Sequence, residues 1–246
     1  MSKLIGKDLK LILDGYDISG DENALTLDEM ADELDSTAFG DSAHNFTLGL
    51  YQATTGINGY FNPATNRNHD RLKSLLGSNT GGVFSAFMGQ GASPAIGDPA
   101  WGIIYVESKY SVNGSPPAMI ATQAMLAGRG SARVANWGAV LKNGIATTNT
   151  SSTNAAVNNT AASANGGSGM LHILGAMTTG TAVIVIEHST DDITYVTLVT
   201  FTVDGSAIAG EVQNVAAGAA VRQYVRARHT LSTTATITYA AMFWRN

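Results

Sequence analysis

Short runs of alternating or β-branched apolar residues, separated by Gly, Asn, Asp and Ser, recur along most of the chain. This pattern is typical of antiparallel β structure, because side chains at every second position share one face of a strand. Near the C-terminus, Ile237, Tyr239, Ala241 and Phe243 alternate in this way and predict one buried strand face. The chain is therefore predicted to be mainly β, an antiparallel barrel or sandwich. The predicted strands are residues 9–13, 46–51, 56–61, 101–110, 119–127, 170–174, 182–188, 195–203, 221–229 and 235–244.

One segment has a helical pattern, at residues 68–77. Asn68 can cap a helix and Asp70 suits its first turn. Leu72, Leu75 and Leu76 form an apolar stripe, and Gly77 can end the helix. We expect about three turns of helix flanking the barrel or sandwich, with the three leucines packed against it.

Residues 146–169 consist of Thr, Asn, Ser, Ala, Gly and Val without one charge, a composition typical of a flexible linker. The chain also contains a weak internal sequence repeat, which we name the echo. Residues 37–56 resemble residues 160–180, and residues 105–110 resemble residues 224–229, in the same order. The echo predicts two similar β domains, residues 1–138 and residues 139–246. An unrelated C-terminal β-sandwich remains the alternative.

Composition favours a protein that assembles. Hydrophobic residues make up 44% of the 246 residues, whereas charged residues make up only 13%, about half of what is usual for soluble domains. Much of the surface is therefore expected to be buried between copies, although a surface rich in Thr, Ser and Asn on a monomer would also fit. The start of the chain has no apolar signal-peptide core, and no apolar run is long enough to cross a bilayer. We expect a protein made in a cytoplasm, without a membrane partner.

The charge is distributed unevenly. The first 41 residues contain eleven acidic residues against three lysines. Because no basic stripe with interleaved aromatic residues exists, tight nucleic-acid binding is not expected. The acidic run at residues 28–35 lacks the ligand spacing of an EF-hand. It is interpreted as a loop between subunits or rings, and its candidate contact residues are Asp28, Glu29, Asp32, Glu33 and Asp35.

The sequence offers no pattern for catalysis. The five histidines are scattered without metal-ligand spacing, and there is no cysteine. No Gly-x-Ser-x-Gly elbow is present, and Gly89-Gln90-Gly91 does not continue into a phosphate-binding pattern. We therefore predict no enzyme activity, no catalytic or metal-binding residues and no cofactor.

The region from Leu13 to Gly77 contains an ordered set of short motifs, which are Leu13-Asp14-Gly15-Tyr16-Asp17-Ile18-Ser19-Gly20, Leu34-Asp35-Ser36-Thr37-Ala38-Phe39-Gly40-Asp41-Ser42-Ala43-His44, Phe46, Gly49-Leu50, Gly59-Tyr60-Phe61, His69-Asp70 and Leu72. In these residues the region resembles the N-terminal part of tail tube (major tail) proteins of long-tailed, non-contractile bacteriophages. In that family the first Asp-Gly forms a hairpin turn, and the acidic stretch is a long loop that reaches toward the next subunit or ring.

The resemblance implies a structural subunit of the virion tail, assembled in the host bacterium, whose stacked rings form a conduit for DNA. The implied partners are further copies of the chain and other tail proteins at the tube ends, with DNA only in transit. If the two halves are duplicated domains, three chains per ring give pseudo-sixfold symmetry; six chains remain possible. The alternative function is a virion decoration protein whose C-terminal sandwich binds carbohydrate. A hydrolase on a β scaffold is disfavoured by the missing acid–base residues.

Overall fold

A computed structural model describes residues 6–130, 134–148 and 151–246 of the chain. The mainly β prediction is confirmed, and the strand pairings given by their registers are antiparallel. The strands within the described residues are β1 (Leu9–Leu13), β2 (Tyr16–Asp17), β3 (Glu22–Asp35), β4 (Phe46–Tyr60), β5 (Gly82–Met88), β6 (Pro99–Asn113), β7 (Ala121–Gly128), β8 (Ala135–Thr147), β9 (Ser151–Thr153), β10 (Val157–Asn158), β11 (Gly167–Gly175), β12 (Ala182–Ser189), β13 (Val196–Thr200), β14 (Ala209–Val215), β15 (Tyr224–Leu231) and β16 (Ile237–Arg245).

The chain divides into two compact units. Unit one comprises residues 1–20, 82–102 and 136–246, and unit two comprises residues 21–81 and 103–135. Both units are discontinuous in sequence, whereas the division expected from the internal echo, at residue 138, is continuous. That duplication stays a prediction.

Unit one contains a curled sheet with the strand order β14-β11-β16-β8-β6-β5-β1-β2, to which β6 contributes its first residues. The two edges of this sheet lie close together: the backbone N–H of Gly15, in the turn between β1 and β2, donates to the His172 side chain on β11. A second sheet, β10-β15-β12-β13 with β9, packs on it. Their shared core contains Leu171, Ile186, Ala227 and Phe243. Unit one is thus a curled sheet covered on one side by a smaller sheet.

Strand β16 is buried on both faces. Ile237, Tyr239, Ala241 and Phe243 face the second sheet, as their alternation predicts. The intervening residues Ala240, Met242 and Trp244 are buried as well. The Sδ atom of Met242 lies 3.5 Å from Oγ of Ser85 on β5, which places these residues inside the curl.

The Asp14-Gly15 turn joins β1 to β2 as a two-residue hairpin, in agreement with the expected turn. Leu13 pairs with Tyr16, and both turn residues have positive φ, 49° for Asp14 and 88° for Gly15. Asp and Gly tolerate this left-handed conformation better than other residues. The Asp14 carboxylate also accepts the backbone N–H of Val83 at 2.7 Å, which fixes the turn beside β5.

Unit two is built on the strand order β3-β4-β7-β6. Residues on one face are buried in alternation, including Ala53, Thr55 and Ile57 on β4 and Leu126 on β7. The residues predicted as two strands, 46–51 and 56–61, form the single 15-residue strand β4.

The expected three-turn flanking helix is wrong. The structure has only a five-residue helix, α1 (Asn68–Leu72), because hydrogen bonds change from i→i−4 at Lys73 to i→i−3 at Leu75 and Ser78. Leu72 is buried as predicted, whereas Leu75 is half-buried and Leu76 is exposed. Asn68 is the first helical residue and not the N-cap; its side chain instead binds the Tyr60 carbonyl and Thr122.

The uncharged stretch at residues 146–169 is not simply a linker. Its described residues include β9 and β10, which pair with β15, and the start of β11. Asn154 and Asn159 donate side-chain N–H groups to the carbonyls of Ala227 and Gln223, at 3.0 and 3.1 Å. A polar, charge-free sequence can therefore follow a sheet edge; residues 149 and 150 lie outside the described residues.

Candidate assembly surface

A long hairpin dominates unit two. Strands β3 and β4 pair along almost their full length, from Glu22 opposite Gly59 to Asp35 opposite Phe46. The neighbouring strand β7 pairs only with residues 54–60 of β4. Residues 29–53, which we name the arm, therefore form a two-stranded ribbon extending roughly 25 Å beyond that sheet, at about 3.3 Å per residue.

The acidic segment expected as a loop is thus a strand, and this corrects the interpretation from the sequence. Its cross-strand partners supply every second backbone group with a hydrogen bond within the same chain. The sequence does alternate apolar and polar residues in Leu25-Thr26-Leu27-Asp28, but the surrounding charge obscured the signal. A role in contacts between copies stays a prediction.

The arm tip is closed by side-chain hydrogen bonds. Asp35 accepts the backbone N–H and the hydroxyl of Thr37, and these bonds lower the pKa of its carboxyl. Asp41 accepts the backbone N–H of Ala38 at 2.8 Å, and Asn45 donates its backbone N–H to the Thr37 hydroxyl. Asp, Asn and Thr are the residues that form such local turns.

The five predicted contact acids lie on the hairpin but on both of its faces. Glu29, Glu33 and Asp35 are directly opposite Ala53, Leu48 and Phe46, and directly opposed residues share a face. Asp28 and Asp32 lie on the other face, as alternation along β3 requires. All five are exposed, so the arm presents acid on both sides.

The sequence interpretation missed that the arm is also apolar. Phe46, Leu48 and Leu50 are 57%, 73% and 80% exposed, and Met30 and Leu34 on β3 are more than half exposed. In the sequence, the alternation of Phe46, Leu48 and Leu50 indicates a buried strand face. Among the described residues nothing covers Phe46 and Leu48 on one face of the arm or Met30 and Leu34 on the other. Clustered exposed apolar residues mark interaction sites.

Tyr51 marks the point at which the buried face of unit two becomes the exposed face of the arm. It lies opposite Ala31 and donates its hydroxyl to the Ala135 carbonyl at 3.3 Å. From Ala53 onward the face is buried; before Tyr51 it is exposed. The arm therefore continues the core face of its own sheet into solvent.

A buried serine–histidine pair lies inside the curl of unit one. Nε2 of His172 is 2.8 Å from Oγ of Ser85, and Nδ1 accepts the backbone N–H of Gly15 at 3.3 Å. Because Nδ1 accepts, we assign the imidazole proton to Nε2, which then donates to Ser85. His172 cannot take a proton from Ser85 in this tautomer. Burial lowers the pKa of His172 to about 3, so the ring is neutral.

Within the described residues, no group of three or more His, Asp or Glu side chains is arranged to hold a metal ion. In the same part of the chain, no helix is both long and apolar enough to span a bilayer.

The second sheet carries an ion-paired cluster on its outer side. Glu187 accepts from Arg226 at 3.0 and 3.1 Å and from Arg228 at 2.5 Å. The Arg226 guanidinium lies 3.4 Å from the ring centre of Tyr195, so that ring face is already covered. A carbohydrate site usually needs an open aromatic face, and this cluster gives the decoration alternative no support.

No protein-family model matches the chain, and no curated protein matches it in sequence. Solved structures do resemble it. One is a chain from the virion of a native gene transfer agent particle, 18% identical over 55% of this chain and 98% of that chain, with a TM-score of 0.43. Another is the SPP1 tail tube, 8% identical over 52% of this chain and 77% of that chain, with a TM-score of 0.42.

A third is the SPP1 Dit protein, described as a hub adsorption apparatus of phages that infect Gram-positive bacteria. It is 8% identical over 96% of this chain and 99% of that chain, with a TM-score of 0.37.

Proposed function

We propose that the chain is a structural subunit of a phage tail tube, which assembles into stacked rings and forms a conduit for DNA. The observation that carries this proposal is the arm, a long hairpin with exposed apolar residues that no part of its own chain covers. Another copy can bury these residues and pair the free edge of β3. The sequence resemblance to tail tube proteins includes much of the arm.

The charge of the chain is compatible with a conduit. The protein carries a net charge of −5, and the arm is rich in carboxylates. Tight binding to DNA requires cationic groups that displace counterions. A surface without them would let DNA slide past instead of holding it.

Within this proposal, we favour rings of three chains with pseudo-sixfold symmetry, because of the echo between the two halves of the sequence. Rings of six chains fit the same surfaces if the halves are unrelated. Other tail proteins would cap the tube, and assembly would take place in the host bacterial cytoplasm. Cryo-electron microscopy of the tube decides between the two by counting chains per ring.

The proposal is tested by negative-stain microscopy of the purified protein together with a variant that has a shortened arm. Residues 31–51 are replaced by Asn-Gly, which joins the opposed residues Met30 and Gln52 and keeps the register of the hairpin base. The wild type should form rings or tubes, and the variant should stay a folded monomer. Dispersed wild-type monomers at all concentrations, or normal tubes from the variant, would contradict the proposal.

A further inference from the structure

Unit one contains a pocket of about 270 Å³. Val157 on β10, Trp137 on β8 and Phe243 on β16 form part of its apolar wall. Trp137 is half exposed and packs edge-on against Trp101, with ring centres 5.4 Å apart. Since a cavity of about 150 Å³ can hold benzene, this pocket has room for one aromatic side chain and part of its backbone.

The pocket lining also includes Arg245, whose guanidinium Nε is buried and has no acceptor among the described residues. Buried donors are nearly always hydrogen-bonded in proteins. This unsatisfied donor on a pocket-lining residue therefore indicates that an acceptor is missing from the isolated chain.

The charge of Arg245 is likewise unbalanced. Its terminal nitrogens donate to the backbone carbonyls of Ala161, Arg222 and Gln223, which hold the side chain in place. Within the described residues, no carboxylate forms an ion pair with it. The pocket thus combines an aromatic-sized apolar wall with a fixed positive charge, which suits a ligand carrying both a ring and an acidic group.

The arm tip carries such a combination. Phe39 is fully exposed, so its ring contacts nothing in its own chain. Asp41 lies two residues away in the same turn, and Asp35 begins it. An exposed phenylalanine at the end of a long arm costs solubility unless it is buried in an assembly.

We propose that Phe39 of one copy inserts into the pocket formed by Trp137, Val157 and Phe243 of a second copy, with the carboxylates of the arm tip, Asp35 and Asp41, meeting Arg245. This inference rests on the proposed function and names the place where the arm docks. The pocket has the volume and the apolar lining for an aromatic side chain, and the acids of the arm tip are opposite in charge to Arg245. Large aromatic residues are the usual anchors of such contacts.

The absence of native cysteine makes a direct test possible. The double variant Phe39→Cys, Val157→Cys is assembled and oxidised, and its products are separated on a non-reducing gel. A matched control pairs Phe39→Cys with Thr197→Cys, an exposed position on β13 away from the pocket. We expect a ladder of disulfide-linked chains from the pocket pair and at most dimers from the control.

A second measurement uses Phe39→Ser, with Ala38→Ser in the same turn as its control. Because Phe39 is fully exposed, the fold should be unaffected, whereas the concentration needed for assembly should rise roughly tenfold or more. Two results would contradict the docking of Phe39 but not the proposed tube function. One is tube formation by Phe39→Cys, Val157→Cys without disulfide-linked chains, and the other is equal assembly by Phe39→Ser and Ala38→Ser. Cross-linked chains that never form rings would support the docking and sink the proposed tube function.

Discussion

Leu48 and Ile57 lie on the same face of the hairpin, yet Leu48 is 73% exposed and Ile57 is 1% exposed. Their partners on β3, Glu33 and Leu25, are separated by an even number of residues, and a bulge in β4 restores the shared face. Strand β7 pairs with β4 at Ile57 and not at Leu48, so the sheet of unit two covers one position and not the other. A face built for burial is therefore left open on the arm.

We predict that Leu48→Gln abolishes or strongly weakens assembly while leaving the folded monomer as stable as wild type, within about 0.5 kcal/mol. The physical reason is that Leu48 is exposed in the monomer and, under the proposed function, becomes buried between copies. Sedimentation velocity measures assembly, and urea unfolding measures stability.

The control for this change is Thr47→Gln, one residue away on the opposite face of the same strand. It should assemble nearly as well as the wild type. Equal loss of assembly in both variants would mean that the apolar face has no special role.

A second prediction compares two glycines that have the same backbone conformation. Gly15 and Gly91 both have φ of 88°, where any L-residue is strained by roughly 1–2 kcal/mol. A Cβ on Gly91 would meet nothing within 4 Å, whereas on Gly15 it would lie 2.5 Å from the Ile173 carbonyl oxygen. Gly91→Ala should therefore lower the free energy of unfolding only by the backbone strain. Gly15→Ala should lower it by roughly 1–3 kcal/mol more, because its Cβ clashes with the Ile173 carbonyl.

Urea unfolding of the two alanine variants measures this difference directly. If both lose the same stability, the close approach of the β1–β2 turn to β11 does not hold in solution.

The sequence predicted the strands that bury an alternating apolar face and missed a strand that is acidic and exposed. Ile237, Tyr239 and Phe243 alternate as a buried strand should, and they are buried. Strand β3 was missed because its acids resemble a solvated loop, although pairing with β4 supplies its hydrogen bonds locally. The predicted helix was too long because three leucines at helical spacing suggest an apolar stripe, whereas only Leu72 is buried in the core.

The pocket could not be predicted from the sequence. Trp137, Val157 and Phe243 are far apart along the chain and meet only because the second sheet covers β16. Similarly, only the packing reveals that the guanidinium Nε of Arg245 is buried without an acceptor among the described residues. Properties that depend on long-range contacts, or on their absence, require the structure.

A third prediction concerns His172, whose pKa burial lowers from 6.5 to about 3. Below pH 6.5 the unfolded chain takes up a proton at this residue and the folded chain does not, so folding stability falls as pH drops from 6.5 toward 3. The expected slope is about 1.4 kcal/mol per pH unit. His172→Gln should remove this contribution, although it loses stability at pH 7 by roughly 1–3 kcal/mol through broken hydrogen bonds.

The measurement is urea unfolding of wild type and variant between pH 7 and pH 4, compared as a difference so that other groups cancel. His44→Gln, which changes an exposed ring on the arm tip, is the control and should follow the wild type. A wild-type slope that survives in His172→Gln would show that the buried ring is not the source.

The last prediction has the opposite sign and concerns Glu107 in unit two. Its carboxyl is 5% exposed, has no hydrogen-bond partner among the described residues and lies opposite Leu126, and burial raises its pKa from 4.5 to about 8. Between these two values the unfolded chain releases the proton more readily than the folded chain. Stability should therefore be greatest at low pH and fall by up to about 1.4 kcal/mol per pH unit as pH rises toward 8.

Glu107→Gln keeps the size of the side chain and removes the ionisation, so it should gain stability over wild type as pH rises. The expected gain at pH 8.5 relative to pH 5 is at least roughly 1 kcal/mol. Glu33→Gln on the exposed arm serves as the control and should show no such gain. Glu22, whose pKa burial raises to about 7, remains ionisable in the same unit, so a residual decline with pH is expected in the variant. Identical pH profiles for Glu107→Gln and wild type would mean that the carboxyl finds a partner or reaches water in solution, contrary to the buried position described here.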